Sequence, residues 1–502
     1  MKITNPYSKN RFSRIDKFQR YLTGKLSLLK LKERNNHDFL SSIYWGTRET
    51  GISSDSVSIP DDTQVELLTV TVAELISVEE LADMKDGMKK LISLYRPSPF
   101  YFNDPNQIDE FYNKVTTDIH GRRWSLLGNI KFKENTDIGD YIEHVQIQAS
   151  QVSSSIIVLI FQIHPSKIYL SEFDNVIKKN VQEERILRPK LKGLFKFWGS
   201  TTEFPETVKN RIVEDHILEL KWKFFSEISK YLPTFFHENE LVSPSVLLYK
   251  IKQEDRSEDS SNLFWDSIGL PQSVLSYKNY VHDQWNLIAE LDRSLDDSIK
   301  ITCNSENNPE SEFSSIESQI IYEGDYFIRE LLPVLAIRKY TLFISEQIAN
   351  FRISTFKSIS NKKVNYKNII YLRSTIERKG YMLNRIKDEF NPDSLKRRLI
   401  RSSFEWAPTN TEIISTPFHE FIVNNTLYLI NETFKHSESL VKTLDSTVEI
   451  LTLQTNFSIQ RKTVMLTIVT IILAIVAIYL TYYQISENTP TDLLNFIKEQ
   501  LI

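Results

Sequence analysis

"DIHGRRW", Asp118 to Trp124, gathers an acid, an imidazole and two guanidinium groups within seven residues of this 502-residue chain. Those are the residue types that grip a phosphate or relay a proton: an imidazole, His120, with Asp118 on one side and Arg122 and Arg123 on the other. A polar turn ahead of a strand has the same composition. These four are the candidate catalytic residues of a cryptic membrane-bound hydrolase or nucleotide-binding enzyme, if the chain is an enzyme. No other stretch names a reaction. The patterns G-x-x-x-x-G-K-[ST], G-x-S-x-G and H-E-x-x-H are absent. The nine histidines are scattered along the chain, never two within one helical turn, and Cys303 is the single cysteine. A zinc site needs ligands that converge on bonds of about 2 Å, and this spacing offers none. Glu214-Asp215-His216 falls on a predicted helix and reads as its solvated face. The sequence therefore predicts no cofactor, no metal and no enzymatic activity.

Whatever the chain does must then be sought in the elements themselves. Its length suits two to four domains, and its 41% hydrophobic and 25% charged residues match soluble proteins. Only 12 glycines are present, few for folds built on phosphate-cradling glycine loops. One cysteine excludes an internal disulfide and fits a reducing compartment. Residues 1–40 hold ten Lys/Arg against three acids, a basic segment that reads first as a solvated arm or helix face and second as a surface for anionic lipid or nucleic acid. Nucleic acid is not an expected partner. "RPKLKGLFKFWGS", Arg188 to Ser200, interleaves lysines with aromatics and reads as a loop that plugs a core or lies on a membrane surface.

Three β-branched, partly alternating stretches predict an antiparallel meander: 122–132, 141–150 and 154–163. "QVELLTVTVAEL" adds a strand before a helix, with Ser77 as N-cap and Glu80 three residues on as a capping box. After Pro165 the pattern turns helical: Val208 to Leu232 is amphipathic, and Gln272 to Ile299 is a further predicted helix. The stretches 253–261 and 303–313 are predicted loops. Long helical patterns fill 314–358, with a bend expected at Pro333, and 365–390.

From Phe418 to Pro490 there is neither proline nor glycine to stop a helix. Leu427, Ile430, Phe434, Val441, Leu444, Val448 and Leu451 recur at alternating three-four spacing, with Ser437 in the one polar slot. This is a heptad seam, either a coiled coil between chains or a face that packs on the chain's own helices. It runs on into Val464–Tyr483, twenty mostly apolar positions. No charge lies between Lys462 and Glu487. Twenty helical residues rise about 30 Å, the thickness of the hydrocarbon core, so a membrane span is predicted. Its polar members are Thr467, Thr470 and Thr481, whose hydroxyls can bond backbone carbonyls. With Ala474 and Ala477 they supply small residues for close helix contact. Arg461 and Lys462 anchor one boundary and Tyr479, Tyr482 and Tyr483 the other. Cations on the N-terminal flank predict a cytoplasmic body, with the tail on the opposite side of the cell membrane. That tail, "TPTDLLNFIKEQLI", is amphipathic and too short to span.

The join "NFSIQRKTVMLTIVTII" resembles the entry to the first span of the CorA magnesium-transporter family in Asn456, Met465, Leu466, Thr467, Ile468, Thr470 and Ile471. The resemblance implies a cytoplasmic α/β domain feeding a long helix that becomes a pore-lining span. The family's Gly-Met-Asn signature has no counterpart, since "AIYLTYYQI" stands where it falls. Nor is a second span seen, so no ion-selectivity residue carries over.

The expected fold is α+β, predominantly α. A basic segment (1–62) precedes an α+β domain with antiparallel strands (63–200), a helical region (201–302) and a long-helix bundle or stalk (314–462). A transmembrane helix (463–485) and a short amphipathic tail (486–502) follow. The expected function is a single-pass membrane protein with a large cytoplasmic sensor or interaction domain, self-associating as a CorA-like channel or effector. The alternative is a tethered binding protein without a pore. Expected partners are the lipid bilayer, further copies of the chain, and an unidentified small-molecule or protein ligand of the cytoplasmic domain.

Overall fold

A computed structural model describes residues 63–95, 106–117, 124–181, 184–188, 199–203, 205–253, 275–279, 285–289, 298–305, 313, 315–360, 366–389, 404–406, 417–487 and 499. Two compact units divide the chain: Met1–Ile344 with Met382–Thr433, and Ser345–Tyr381 with Phe434–Ile502.

The first unit is built on β1 (Thr63–Ser77), whose Val/Thr alternation suits a strand buried on both faces. It ends in the expected capping box: the Ser77 N–H and Oγ–H both donate to Glu80 Oε2, at 2.9 and 2.8 Å. A 3-10 turn, Val78–Glu80, then feeds α1 (Leu81–Leu94), and α2 (Asn106–Thr117) follows. The meander forms as predicted from β2 (Trp124–Lys131), β3 (Ile142–Gln151) and β4 (Ile156–Pro165). Its register sets Asn129 opposite Gln146 and Gln146 opposite Gln162. β4 then pairs antiparallel with β1, placing Phe161 opposite Val72. Next come α3 (Lys167–Lys178), a separate ribbon of β5 (Glu184–Arg188) and β6 (Gly199–Glu203), α4 (Pro205–Ile228) and the single turn α5 (Phe235–Glu238).

The sheet does not stop at residue 200. β7 (Ser245–Gln253), β8 (Leu275–Asn279), β9 (Trp285–Ala289) and β10 (Ser298–Asn304) extend it, and β11 (Phe404–Trp406) closes one edge. The nine strands lie in the order β11-β8-β9-β10-β7-β1-β4-β3-β2, antiparallel except where β10 runs parallel to β7. This corrects the helix expected over Gln272–Ile299; within the region 201–302 read as helical, α4 and α5 are helices and β7 to β10 are strands. Trp285, Leu287, Ile288 and Ala289 are buried because β9 pairs with β10 and β8. Those partners lie elsewhere in the chain, and local spacing does not carry them.

Helices cover both faces of the sheet. On one face Val72, Ile147, Phe161 and Tyr249 form a core with Met88 of α1, Phe111 of α2, Phe173 of α3 and Phe224 of α4. On the other runs the first part of α6 (Ile316–Ser360), where Asp325 accepts from the Gln148 amide at 3.1 Å. There Gly324 sits so close to Leu248 that an added methyl would meet its Cδ2 at 2.9 Å. Pro333 lies inside α6, which is helical on both sides of it. Residues 331–340 are all buried, and that packing offsets the hydrogen bond a proline removes. α7 (Tyr366–Glu389) fastens its last turn to the β3–β4 connection. Glu389 accepts from the Ser154 N–H and hydroxyl, and Arg385 donates to Ser155 Oγ at 3.2 Å.

Candidate membrane-spanning helix

Among the described residues the last long element is α8, Phe418–Glu487, 70 residues without a break. It crosses from the first unit into the second, and each part packs differently. In the first unit Ile422, Val423, Thr426, Ile430 and Thr433 are buried, and Asn425 accepts from Arg338 of α6. In the second unit Ser437, Leu440 and Leu444 continue the stripe at the same spacing. α7 lies against it there: Arg373 Nε meets Asp445 Oδ1 at 2.6 Å, and Gly380 faces Ser437.

The buried stripe of α8 is turned by one position from the predicted seam. Ile430, Ser437 and Leu444 lie at its bottom, whereas Leu427, Phe434, Val441, Val448 and Leu451 are only half-buried along its edge. Their places are taken by Thr426, Thr433 and Leu440. Hydroxyls fit because they turn back onto their own helix: Thr426 Oγ1 donates to the Ile422 carbonyl and Ser437 Oγ to that of Phe434, both at 2.7 Å.

From Thr452 to Tyr483 every residue is exposed. A core helix of a soluble protein would be buried here, and this one is not. Among the described residues it is the one helix long and apolar enough to cross a membrane. Val464, Leu466, Leu473, Ile478 and Tyr483 are each more than half exposed. The span's hydroxyls need no external partner, since Thr467 donates to the Thr463 carbonyl, Thr470 to Leu466 and Thr481 to Ala477, at 2.7–2.9 Å. Only the methyl side of each threonine is offered to lipid or to another helix. Arg461 and Lys462 precede the run, while Tyr479 and Tyr482, both exposed, close it. Ala474 and Ala477 lie exposed between them.

The first unit buries ionisable groups that the sequence did not flag. Glu74 occupies the inward row of β1 between Val72 and Ile76, wholly enclosed. Burial pushes its carboxyl up to about 8, against the opposing pull of hydrogen bonds from the Ser243 hydroxyl and the Phe236 N–H. His144 and His164 stack across β3 and β4 with ring centroids 3.9 Å apart. Burial holds both below the usual imidazole range, and for His164 the neighbouring His144 adds to it. Lys209 of α4 is buried and donates to the carbonyls of Val176, Ile177 and Lys179, ending α3 with its ammonium. Burial pushes the Cys303 thiol up to about 12, which makes it inert as a nucleophile. Glu74 and Lys209 act as clamps between elements. One signal for Glu74 was available: it is the polar break in an otherwise apolar inward row.

Asp118, His120, Arg122 and Arg123 lie outside the described residues, as do 1–62, most of 188–200, most of the two predicted loops and nearly all of the tail. Among the described residues no three His, Cys, Asp or Glu side chains gather as a metal site. No family model matches the chain, and no curated protein matches it.

Proposed function

We propose that this chain is a single-pass protein of the cell membrane whose large N-terminal body works in the cytoplasm as a sensor or interaction domain. It self-associates through the stalk and span, as a CorA-like channel or membrane effector would. The observation that carries the reading is α8: one helix packs on the chain's own helices at one end and exposes an apolar run long enough to span at the other. Arg461 and Lys462 on the body side of that run support the cytoplasmic placement. The large α+β body ahead of the helix is the part available for a ligand. Mass photometry of the full chain in detergent tests self-association. Oligomers are expected, and a monomer at physiological concentration would remove the channel and the effector together.

A second reading, a tethered binding protein without a pore, is favoured by one observation. The stripe Ser437–Leu440–Leu444 is occupied by α7 of the same chain and needs no second copy. Deleting residues 460–502 separates the two. A tethered module keeps its ligand affinity, whereas an assembly built on the helix loses both oligomer and function.

A further inference from the structure

α7 begins at Tyr366, and its Gly380 and Arg373 stand beside Ser437 and Asp445 in turn, so it runs antiparallel to α8. On that course it runs out beside about residue 452 of α8. From Thr452 onward α8 has no covering helix among the described residues, and every residue from Thr452 to Tyr483 is exposed. Yet the helix stays apolar on one side before it reaches the span. Ile450 and Leu453 are each 56% exposed and Phe457 68%. Ile450 lies 11 residues ahead of Arg461, about 16 Å along the helix, too far from the hydrocarbon for lipid tails to cover it. Large apolar side chains held together in water mark a contact surface.

Their spacing says what covers them. Ile450, Phe457, Val464, Ile471 and Ile478 recur every seven residues, all more than half exposed. Leu453, Gln460, Thr467, Ala474 and Thr481 fall between them at three-residue offsets, completing a 3-4 seam that runs from the aqueous segment into the span without a slip. No charge occupies any of these positions. The first set is mostly β-branched, the preference of that position in two-stranded parallel coiled coils. The second set is narrow within the bilayer, where Thr467 and Thr481 show only their methyls because their hydroxyls bond their own helix. A partner that meets both halves of this seam must cross the same bilayer at the same depth and in the same direction. A second copy of this chain does so by topology alone.

We propose that residues 450–481 of α8 form a parallel coiled coil with the same residues of a second copy, continuous through the membrane boundary. The inference rests on the self-association reading above and narrows it to one face of one helix. Thr470 and Ala477 flank that face, and Thr455 lies opposite it.

The test uses full-length protein in membrane vesicles, with single cysteines introduced as Leu453→Cys, Phe457→Cys and, on the far side, Thr455→Cys. Cys303 is buried and stays out of the reaction. Under mild oxidation the first two are expected to give disulfide-linked dimers and Thr455→Cys none. Dimers through Thr455→Cys, or equal yields from all three, would overturn the seam while leaving self-association standing. Monomers by mass photometry of the unmodified chain would remove both. As a second readout, Leu453→Glu with Phe457→Glu, both exposed and beyond the stretch that α7 covers, should shift the oligomer to monomer without lowering the body's melting temperature. An unchanged oligomer would also overturn the seam.

Discussion

Gly380 of α7 faces Ser437 of α8 so closely that a methyl added at Gly380 would meet the Ser437 Oγ at 2.9 Å and its Cβ at 3.6 Å. The pair explains the serine in the stripe of α8: a small residue is needed where α7 comes nearest. Gly380→Ala should gain about 1 kcal/mol in helix propensity and lose about 1–3 to overpacking, a net loss. In a Ser437→Ala background the near atom is gone and the same substitution should stabilise. Urea unfolding of the four variants measures the reversal of sign, and a loss in both backgrounds would show that the helices do not meet here.

Gly87 gives a sharper case. A methyl there would lie 2.0 Å from the Tyr231 carbonyl oxygen, which is backbone and cannot swing aside. Gly87→Ala should cost about 2 kcal/mol or more, read as a lowered melting temperature, despite the better helix propensity of alanine.

Glu74 should make the body weaker as pH rises. Its folded carboxyl titrates at about 8 against an ordinary value of 4.5, so between those values the folded state holds a proton that the unfolded state has released. The stability it contributes is complete below pH 4.5 and is lost as pH climbs to 8. Glu74→Gln keeps an acceptor for the Phe236 N–H and removes the titration. Its unfolding free energy should fall less than that of the wild type across this window, and parallel curves would refute the assignment.

Lys209 ends α3 with three carbonyl contacts from a buried ammonium. Lys209→Met keeps the apolar stem and strands those carbonyls, at a cost of about 1–3 kcal/mol. Amide exchange should accelerate in the last turn of α3, around Val176 and Ile177, more than elsewhere in the body.

Ile471 stands near the middle of the apolar run. Ile471→Arg places a charge there at about 2.5–3.5 kcal/mol on the insertion scale and should release the chain into the alkaline-soluble fraction. Ile471→Leu should stay with the membrane pellet.

Much of the sheet was legible because alternation is a local signal. The meander and β1 are β-branched and partly alternating runs, and the capping box at Ser77 and Glu80 is written in four consecutive residues. The strands β8, β9 and β10 were not legible. Five-residue strands such as Trp285–Ala289 are too short for a period to show, and they owe their form to pairing with distant strands. The stripe of α8 lies one position off the predicted seam because Thr426 and Thr433 count as polar by side-chain hydropathy. In a helix Thr426 satisfies its own hydroxyl and packs as a small apolar residue. Lys209 was invisible for the opposite reason, and Glu74 showed only as a break in an apolar row: a charge in a strand or helix reads as solvent-facing until its enclosure is known.

The chain leaves the nine-stranded sheet after β10, builds α6 and α7, and returns to the same sheet as β11, where Phe404 and Trp406 pair with Asn279 and Tyr277. A protease that cut between Ser360 and Tyr366 would therefore sever the polypeptide without parting the pieces. The upstream fragment keeps β8, and the downstream fragment keeps the strand hydrogen-bonded to it and Glu389 on the β3–β4 connection. Two separately made halves, divided there, should find each other and assemble, with the bilayer-seeking helix carried wholly on the second.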